Sequence, residues 1–267
     1  TLKPDDYPLQ LSRGCPLTCD ACAIPGTLGR KLRVVPRESA RTALADLARF
    51  GKRAALTEDT SYFAFGSARA HFREFLTDLA ADPRPGHAKV SYIGISMPVL
   101  LTCDPTLLRD MVNAGVNRFY LVGGFDPITR AAFGWGDAKA HAQAVAAIAR
   151  CHEFGIEPYV SFLVGNEGDD EGVFDRMLAF ADEAGVDKCE FAIATPYPGT
   201  PIWRALEAEG RITSRAWKHY NDANVVFRPK QMSAERLQRG YLDLWREFYR
   251  SRQALRGAEH HARTIQF

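Results

Sequence analysis

Between residues 7 and 194 short apolar runs alternate with longer stretches in which apolar residues recur every three to four positions. YPLQLS (7–12), AALT (54–57), KVSYIGIS (89–96), RFYLV (118–122), EPYVSFLV (157–164) and KCEFAIA (188–194) are too short for helices and read as strands. The intervening stretches 37–50, 67–81, 105–114, 137–154, 171–184 and 201–209 read as helices. In the second of them Phe72, Phe75, Leu76 and Leu79 form one apolar stripe, and in the fifth Val173, Phe174, Met177, Leu178 and Ala181 do the same. Asp104 is placed to cap the third, and Gly115, Gly155 and Gly185 to end three helices in the left-handed conformation. Six strands separated by helices predict a parallel sheet. After Gly210 the rhythm stops: an irregular aromatic segment (Trp217, Tyr220, Phe227) leads to Ser233, a predicted cap for a long helix from Ala234 to about Arg252. Leu237, Tyr241, Leu244, Trp245 and Phe248 give that helix an apolar face, and the last ten residues read as frayed.

Composition sets the class. The chain has 267 residues, 46% apolar and 25% charged, enough to bury one large core. A net charge of +2 gives no argument for a nucleic-acid partner, and no run of 18 apolar residues predicts a membrane span. Three of the six cysteines are clustered and three scattered, a poor disulfide framework, so a reducing cytoplasm is the compartment expected. Cys103, Cys151 and Cys189 read as plain buried side chains. The chain starts at Thr1 with no Met and no signal-like stretch, which reads as a processed product or a piece of a longer polypeptide.

The clustered cysteines carry the chemistry. SRGCPLTCDACAIPGTLGR (12–30) sets Cys15, Cys19 and Cys22 at C-x3-C-x2-C directly after the first strand. Structural zinc normally takes four ligands. Asp20 is too hard a donor for the fourth place, and neither His71 nor His87 has a ligand-like spacing partner. A four-iron cluster on three cysteines keeps one iron open for a small molecule. Spacing alone leaves cluster, zinc and unliganded redox thiols as readings. The position, in the loop leaving a strand's carboxyl end, is where βα barrels keep their active sites. Arg13, Arg30, Lys31 and Arg33 surround the loop, either as counter-charges or as solvated side chains.

CPLTCDAC resembles the signature of the radical S-adenosylmethionine (radical SAM) superfamily. The wider SRGCPLTCDACAIPGTLGRKLRVVP is most similar to its cobalamin-type subgroup. The resemblance implies a partial (β/α)6 barrel over residues 1–210, with 211–267 as a C-terminal extension carrying the long helix. It implies that Cys15, Cys19 and Cys22 ligate three irons of a [4Fe-4S] cluster and that SAM chelates the fourth. TEDT (57–60) falls where the family has an acidic motif, so Glu58 or Asp59 would accept from the SAM ammonium. VGGFDPIT (122–129) is similar to the family's G-F-E-S and offers Gly124 and Asp126, although Asp and Pro replace the usual Glu and Ser. The turn FLVGNEGDDEGVF (162–174) would lie near adenine and ribose. There Gly165 and Gly168 would permit close approach, and Asn166 or Glu167 would bond the nucleoside. TPYPGTPIW (195–203) resembles the loop that backs the adenine pocket, with Thr195 and Pro196 as its first residues.

The implied activity is reductive cleavage of SAM to a 5′-deoxyadenosyl radical, which takes a hydrogen atom from an unactivated carbon. The expected substrate is a small hydrophobic or planar molecule such as a tetrapyrrole or a lipid, and the expected reaction is cobalamin-dependent C-methylation. Ser96 to Pro98, Tyr62, Phe63, Trp135, Tyr197, Trp217 and Tyr220 are the substrate-side candidates. Residues 1–11 cannot form a cobalamin domain, so one is expected in cis or in trans, along with a reductant such as flavodoxin or ferredoxin. The alternatives are a cobalamin-independent oxidation, cyclisation or rearrangement, and a non-catalytic iron–sulfur protein.

Overall fold

A computed structural model describes residues 6–17, 19–56, 66–122 and 137–264. The strands are β1 (Asp6–Pro8), β2 (Ser12–Arg13), β3 (Arg33–Val34), β4 (Arg53–Leu56), β5 (Val90–Ser96), β6 (Arg118–Val122), β7 (Glu157–Val164) and β8 (Lys188–Ile193). The helices are α1 (Ile24–Thr27), α2 (Arg37–Arg49), α3 (Gly66–Ala81), α4 (Met97–Thr102), α5 (Pro105–Asn113), α6 (Asp137–Glu153), α7 (Val173–Glu183), α8 (Pro201–Ala208) and α9 (Ala234–Thr264). Strand order in the main sheet is β1-β4-β5-β6-β7-β8, and β2 pairs with β3 in a separate two-stranded sheet. Pairing is parallel from β1 through β7. This α/β order, each strand followed in space by the next, is the topology of the expected partial (β/α)6 barrel.

The chain divides into two compact units, residues 1–160 and 161–267. In the first, alternate strand residues point to opposite faces. Phe119 and Leu121 of β6 are wholly buried, while Arg118, Tyr120 and Val122 are half-buried. Phe72, Phe75, Leu76 and Leu79 of α3 are buried as their spacing predicts, each contributing about 1.5–3 kcal/mol. Asp104 caps α5 by accepting from the Thr106 amide at 2.8 Å. The three glycines expected to end helices have φ of +104°, +68° and +67° at positions 115, 155 and 185. β1 is short, and Asp6 helps to hold it by accepting from Ser91 of β5 at 2.7 Å.

In the second unit the rings of Phe162, Phe180, Phe191 and Phe248 interlock, with centroids 5.5–6.0 Å apart. Leu237, Tyr241, Leu244 and Phe248 turn the buried face of α9 inward, and Ser233 caps the helix by accepting from Arg236 at 3.0 Å. Arg252 is buried too: it donates to Val186 O and Asp182 Oδ1, both at 2.9 Å, and stacks on Phe248. The tail 211–230 covers the outer edge of β8, where the Ile193 amide donates to Asp222 O at 2.7 Å.

Several sequence expectations need correction. The first strand does not run through 7–12: it stops at Pro8, and Ser12 belongs to the small antiparallel pair. α4 follows β5 with Pro98 in its first turn, where none was expected. The long helix continues to Thr264 rather than ending near Arg252.

Candidate functional site

The cysteine loop is tied by a hairpin. Ser12 pairs with Val34 and Arg13 with Arg33, the Val35 amide donates to Leu11 O at 2.8 Å, and the Cys15 amide donates to Gly29 O at 3.0 Å. Gly14 enters the loop at φ +91°, and a Cβ there would lie 2.3 Å from Lys31 O. Only glycine fits that combination of left-handed backbone and close carbonyl. Further in, the Cys22 amide donates to Cys19 O at 3.2 Å, and the turn α1 follows at once. Arg33 laces the far side: its guanidinium donates to Leu28 O at 2.9 Å and Lys31 O at 3.3 Å. That gives Arg33 a structural task, although it is exposed, as Arg30 and Lys31 are.

No disulfide ties up the loop's three thiols; Cys15 is buried and the other two are half-buried. Burial pushes the Cys22 thiol up, the Ile24 amide donating to its sulfur pulls it down, and charge on Cys15 raises it again. The arrangement holds sulfur donors that repel one another as thiolates, which a cationic centre relieves, with proton release on binding. A structural zinc takes four ligands on one ion, and the loop supplies three sulfurs. A four-iron cube gives each cysteine its own iron, so its sulfurs stay apart. The donor set fits such a cluster. Cys103, Cys151 and Cys189 are buried as expected, with burial pushing Cys151 up to about 12.

Of the expected cofactor residues, Glu58, Asp59, Gly124 and Asp126 lie outside the described residues, as do Tyr62, Phe63 and Trp135. The turn after β7 is built on a residue the motif reading passed over. Asp169 Oδ2 accepts from the amides of Gly165 and Asn166, each at 2.8 Å, and from Asn166 Nδ2 at 3.1 Å. Burial outweighs these donors and pushes its carboxyl up. The only sequence hint is an acid four positions after a glycine that ends a strand. Gly165 has φ +90°, and the room its missing side chain leaves is taken by Leu237 and Phe227, with Leu237 Cδ2 2.9 Å from where a Cβ would sit. Its smallness thus serves packing within the unit.

Asn166 is buried, and its Nδ2 also donates to Leu163 O at 2.9 Å, which leaves Oδ1 without a partner. Glu167 is otherwise engaged, with Arg211 at 2.8 Å and Lys230 at 2.5 Å. Burial alone would raise its carboxyl, but hydrogen bonds from Lys230 and Arg211 and their charges hold it below the usual range. The Ala194 amide donates to Val164 O at 2.8 Å, which sets Thr195 and Pro196, both buried, beside this turn. Thr195 Oγ1 donates to Ile193 O at 3.1 Å. Tyr197 donates to Asp222 Oδ1 at 3.0 Å, and burial together with that carboxylate pushes the phenol up to about 12. Asp222 is the one non-glycine residue at positive φ among those described, at +59°.

Asp169→Ala should strand two buried backbone amides and a side-chain amide. We expect a loss of about 2–4 kcal/mol, read as a fall in the urea midpoint, with Asp169→Asn costing less because its amide oxygen still accepts.

Residues 200–267 match a family described as a domain of unknown function, DUF4070. A bacteriochlorophyllide d C-8(2)-methyltransferase of Chlorobaculum tepidum is 23% identical over 228 residues, covering 83% of this chain and 49% of the relative. The C-12(1)-methyltransferase of the same organism is 23% identical over 263 residues, covering 91% and 51%. The chain spans about half the length of the curated relatives it matches. Among solved structures, the radical SAM methyltransferase TsrM from Kitasatospora setae, with cobalamin and a [4Fe-4S] cluster bound, superposes with a TM-score of 0.60 at 18% identity, covering 88% of this chain and 46% of that one. At that identity the likeness speaks to the fold.

Proposed function

We propose, from the premise that this chain belongs to the radical SAM superfamily, that it cleaves S-adenosylmethionine reductively and methylates an unactivated carbon of a small hydrophobic or planar molecule. The observation that carries this reading is the hairpin-closed loop with three cysteines outside any disulfide and an amide aimed at one sulfur. When bound, the cluster and SAM supply one-electron chemistry, and cobalamin, carried by a domain in cis or in trans, supplies the methyl group. Cys15, Cys19 and Cys22 would hold the cluster as thiolates. The chain's other residues position and shield. Asn166 Oδ1, buried and unpartnered, accepts a donor from the nucleoside, and the rigid loop from Thr195 backs it. The resemblance implies that Glu58 or Asp59 would accept from the ammonium of SAM and that Gly124 and Asp126 would serve the ribose. Glu167 supports the turn through Arg211 and Lys230. In cells the electron would come from a small reductant such as flavodoxin or ferredoxin.

The test is anaerobic reconstitution with iron and sulfide, followed by incubation with SAM and a strong reductant. Release of 5′-deoxyadenosine is expected; its complete absence from a chain loaded with cluster would remove the reading. A methylated product appearing only when a cobalamin protein is supplied would identify the second cofactor.

A further inference from the structure

Within the first unit a cavity of about 270 Å³ is lined by Arg73, Leu76 and Ala80 of α3, by Asp110 and Asn113 of α5, and by Lys89, the residue before β5. Lys89 is its unusual member. The residue is only 6% exposed, and Leu79 O takes one of the three N–H groups of its ammonium, at 2.7 Å. Asp82, an acid that feels its charge, is already held by Arg84 at 2.8 Å. A cation this far out of water is costly unless its remaining donors are met. The backbone is built to put it there. Gly115 follows α5 at φ +104°, and a Cβ on it would collide with Gly86 O, while a Cβ on Gly86 would lie 2.5 Å from Asn113 O. Two bare backbones therefore touch, and the turn that delivers Lys89 is pressed against the end of α5.

The charges around the cavity do not cancel one another in place. Arg73 ion-pairs with Asp104 at 2.9 Å. Asp110 is exposed, and among the described residues no ion pair joins it to Lys89 or Arg73. The last turns of α3 and α5 also border the space, so the carbonyl ends of two helices add partial negative charge. A phosphate-like dianion would meet the two cations, but also Asp110 and both helix ends. Two cations on one side, a carboxylate with two helix ends on the other and an apolar floor between them suit a zwitterion.

We propose that this cavity binds a free α-amino acid with an aliphatic side chain. The ligand's carboxylate meets Lys89 and Arg73, its ammonium meets Asp110, and its side chain lies over Leu76 and Ala80. Size agrees with a ligand of that class, since pockets for drug-sized molecules begin near about 300 Å³. Lys89 stands at the amino end of β5, whereas the cysteine loop follows the carboxyl end of β1 in the same parallel sheet. The site is therefore separate from the cysteine loop, and its existence does not depend on the radical SAM reading.

The test is titration calorimetry on the full chain with L-leucine and two analogues. Leucine should bind saturably. Leucinamide, which lacks the carboxylate, and N-acetylleucine, which lacks the ammonium, should each bind about tenfold or more weakly, the size of one lost charged hydrogen bond. Asp110→Asn should weaken leucine about tenfold and leave the weaker N-acetylleucine affinity unchanged. A merely structural role for Asp110 would move both ligands together. Lys89→Met should abolish leucine binding; where circular dichroism shows that this variant has lost its fold, Asp110→Asn, at an exposed position, decides. No saturable binding of leucine by the parent chain, leucine affinity unmoved by Asp110→Asn, or inorganic phosphate bound in preference to leucine would each overturn the proposal.

Discussion

Cys19→Ala should leave the reconstituted protein almost free of iron, where the parent chain should carry roughly four per molecule, and should abolish release of 5′-deoxyadenosine. Cys19 lies between the other two proposed ligands, and its carbonyl also receives the Cys22 amide, so it ties the turn as well as offering a sulfur. With it gone, two thiols remain, too few to hold a cube against solvent thiols. Cys151→Ala provides the contrast. That side chain is wholly buried far along α6, and its loss should cost about 1–2 kcal/mol of stability with iron content unchanged. Iron and labile sulfide assays on the two variants, side by side, distinguish a ligand from a packing residue.

Gly14→Ala should lower cluster occupancy almost as severely while leaving every ligand in place. The new methyl would meet the Lys31 carbonyl at 2.3 Å, and backbone oxygen cannot swing away as a side chain can. Left-handed backbone costs an L-residue about 1–2 kcal/mol before any clash is counted. The loop must therefore open at its base, which breaks the hydrogen bond from Cys15 to Gly29 and moves the first sulfur. We expect iron content below about one tenth of the parent, since each 1.4 kcal/mol of loop distortion is tenfold in occupancy. Far-ultraviolet circular dichroism should change little, because the main sheet lies outside the loop. Full iron content in this variant would mean that the loop closes by some other route.

β6 and β7 match their sequence reading to the residue because the register of apolar positions is strict on the buried face and both ends are marked by glycine turns or charge. The apolar stripe of α3 was equally legible, since helix burial follows a period that survives any tertiary arrangement; that of α7 was legible but for Leu178, which is only half-buried, while Phe180 completes the buried face. What the pattern does not carry is closure. β2 and β3 are two residues each, too short for any periodicity, and they exist because Leu11 and Val35 are brought together across the cysteine loop. The ion pairs that engage Glu167 come from 44 and 63 residues away in the chain, from Arg211 and Lys230. No local reading could separate that glutamate from its neighbour Asn166. Asp169 was hidden for the same reason: within NEGDDEG one acid among four looks like any other until the backbone folds around it.

The cysteine loop owes its shape to backbone pairing at its base and to the Arg33 guanidinium, and none of these bonds involves a sulfur. On the proposed reading, stripping the inorganic core by oxygen should accordingly leave an intact receptacle. Damage of that kind would be repaired by delivery of fresh iron and sulfide alone, with no need for a chaperone to refold the polypeptide.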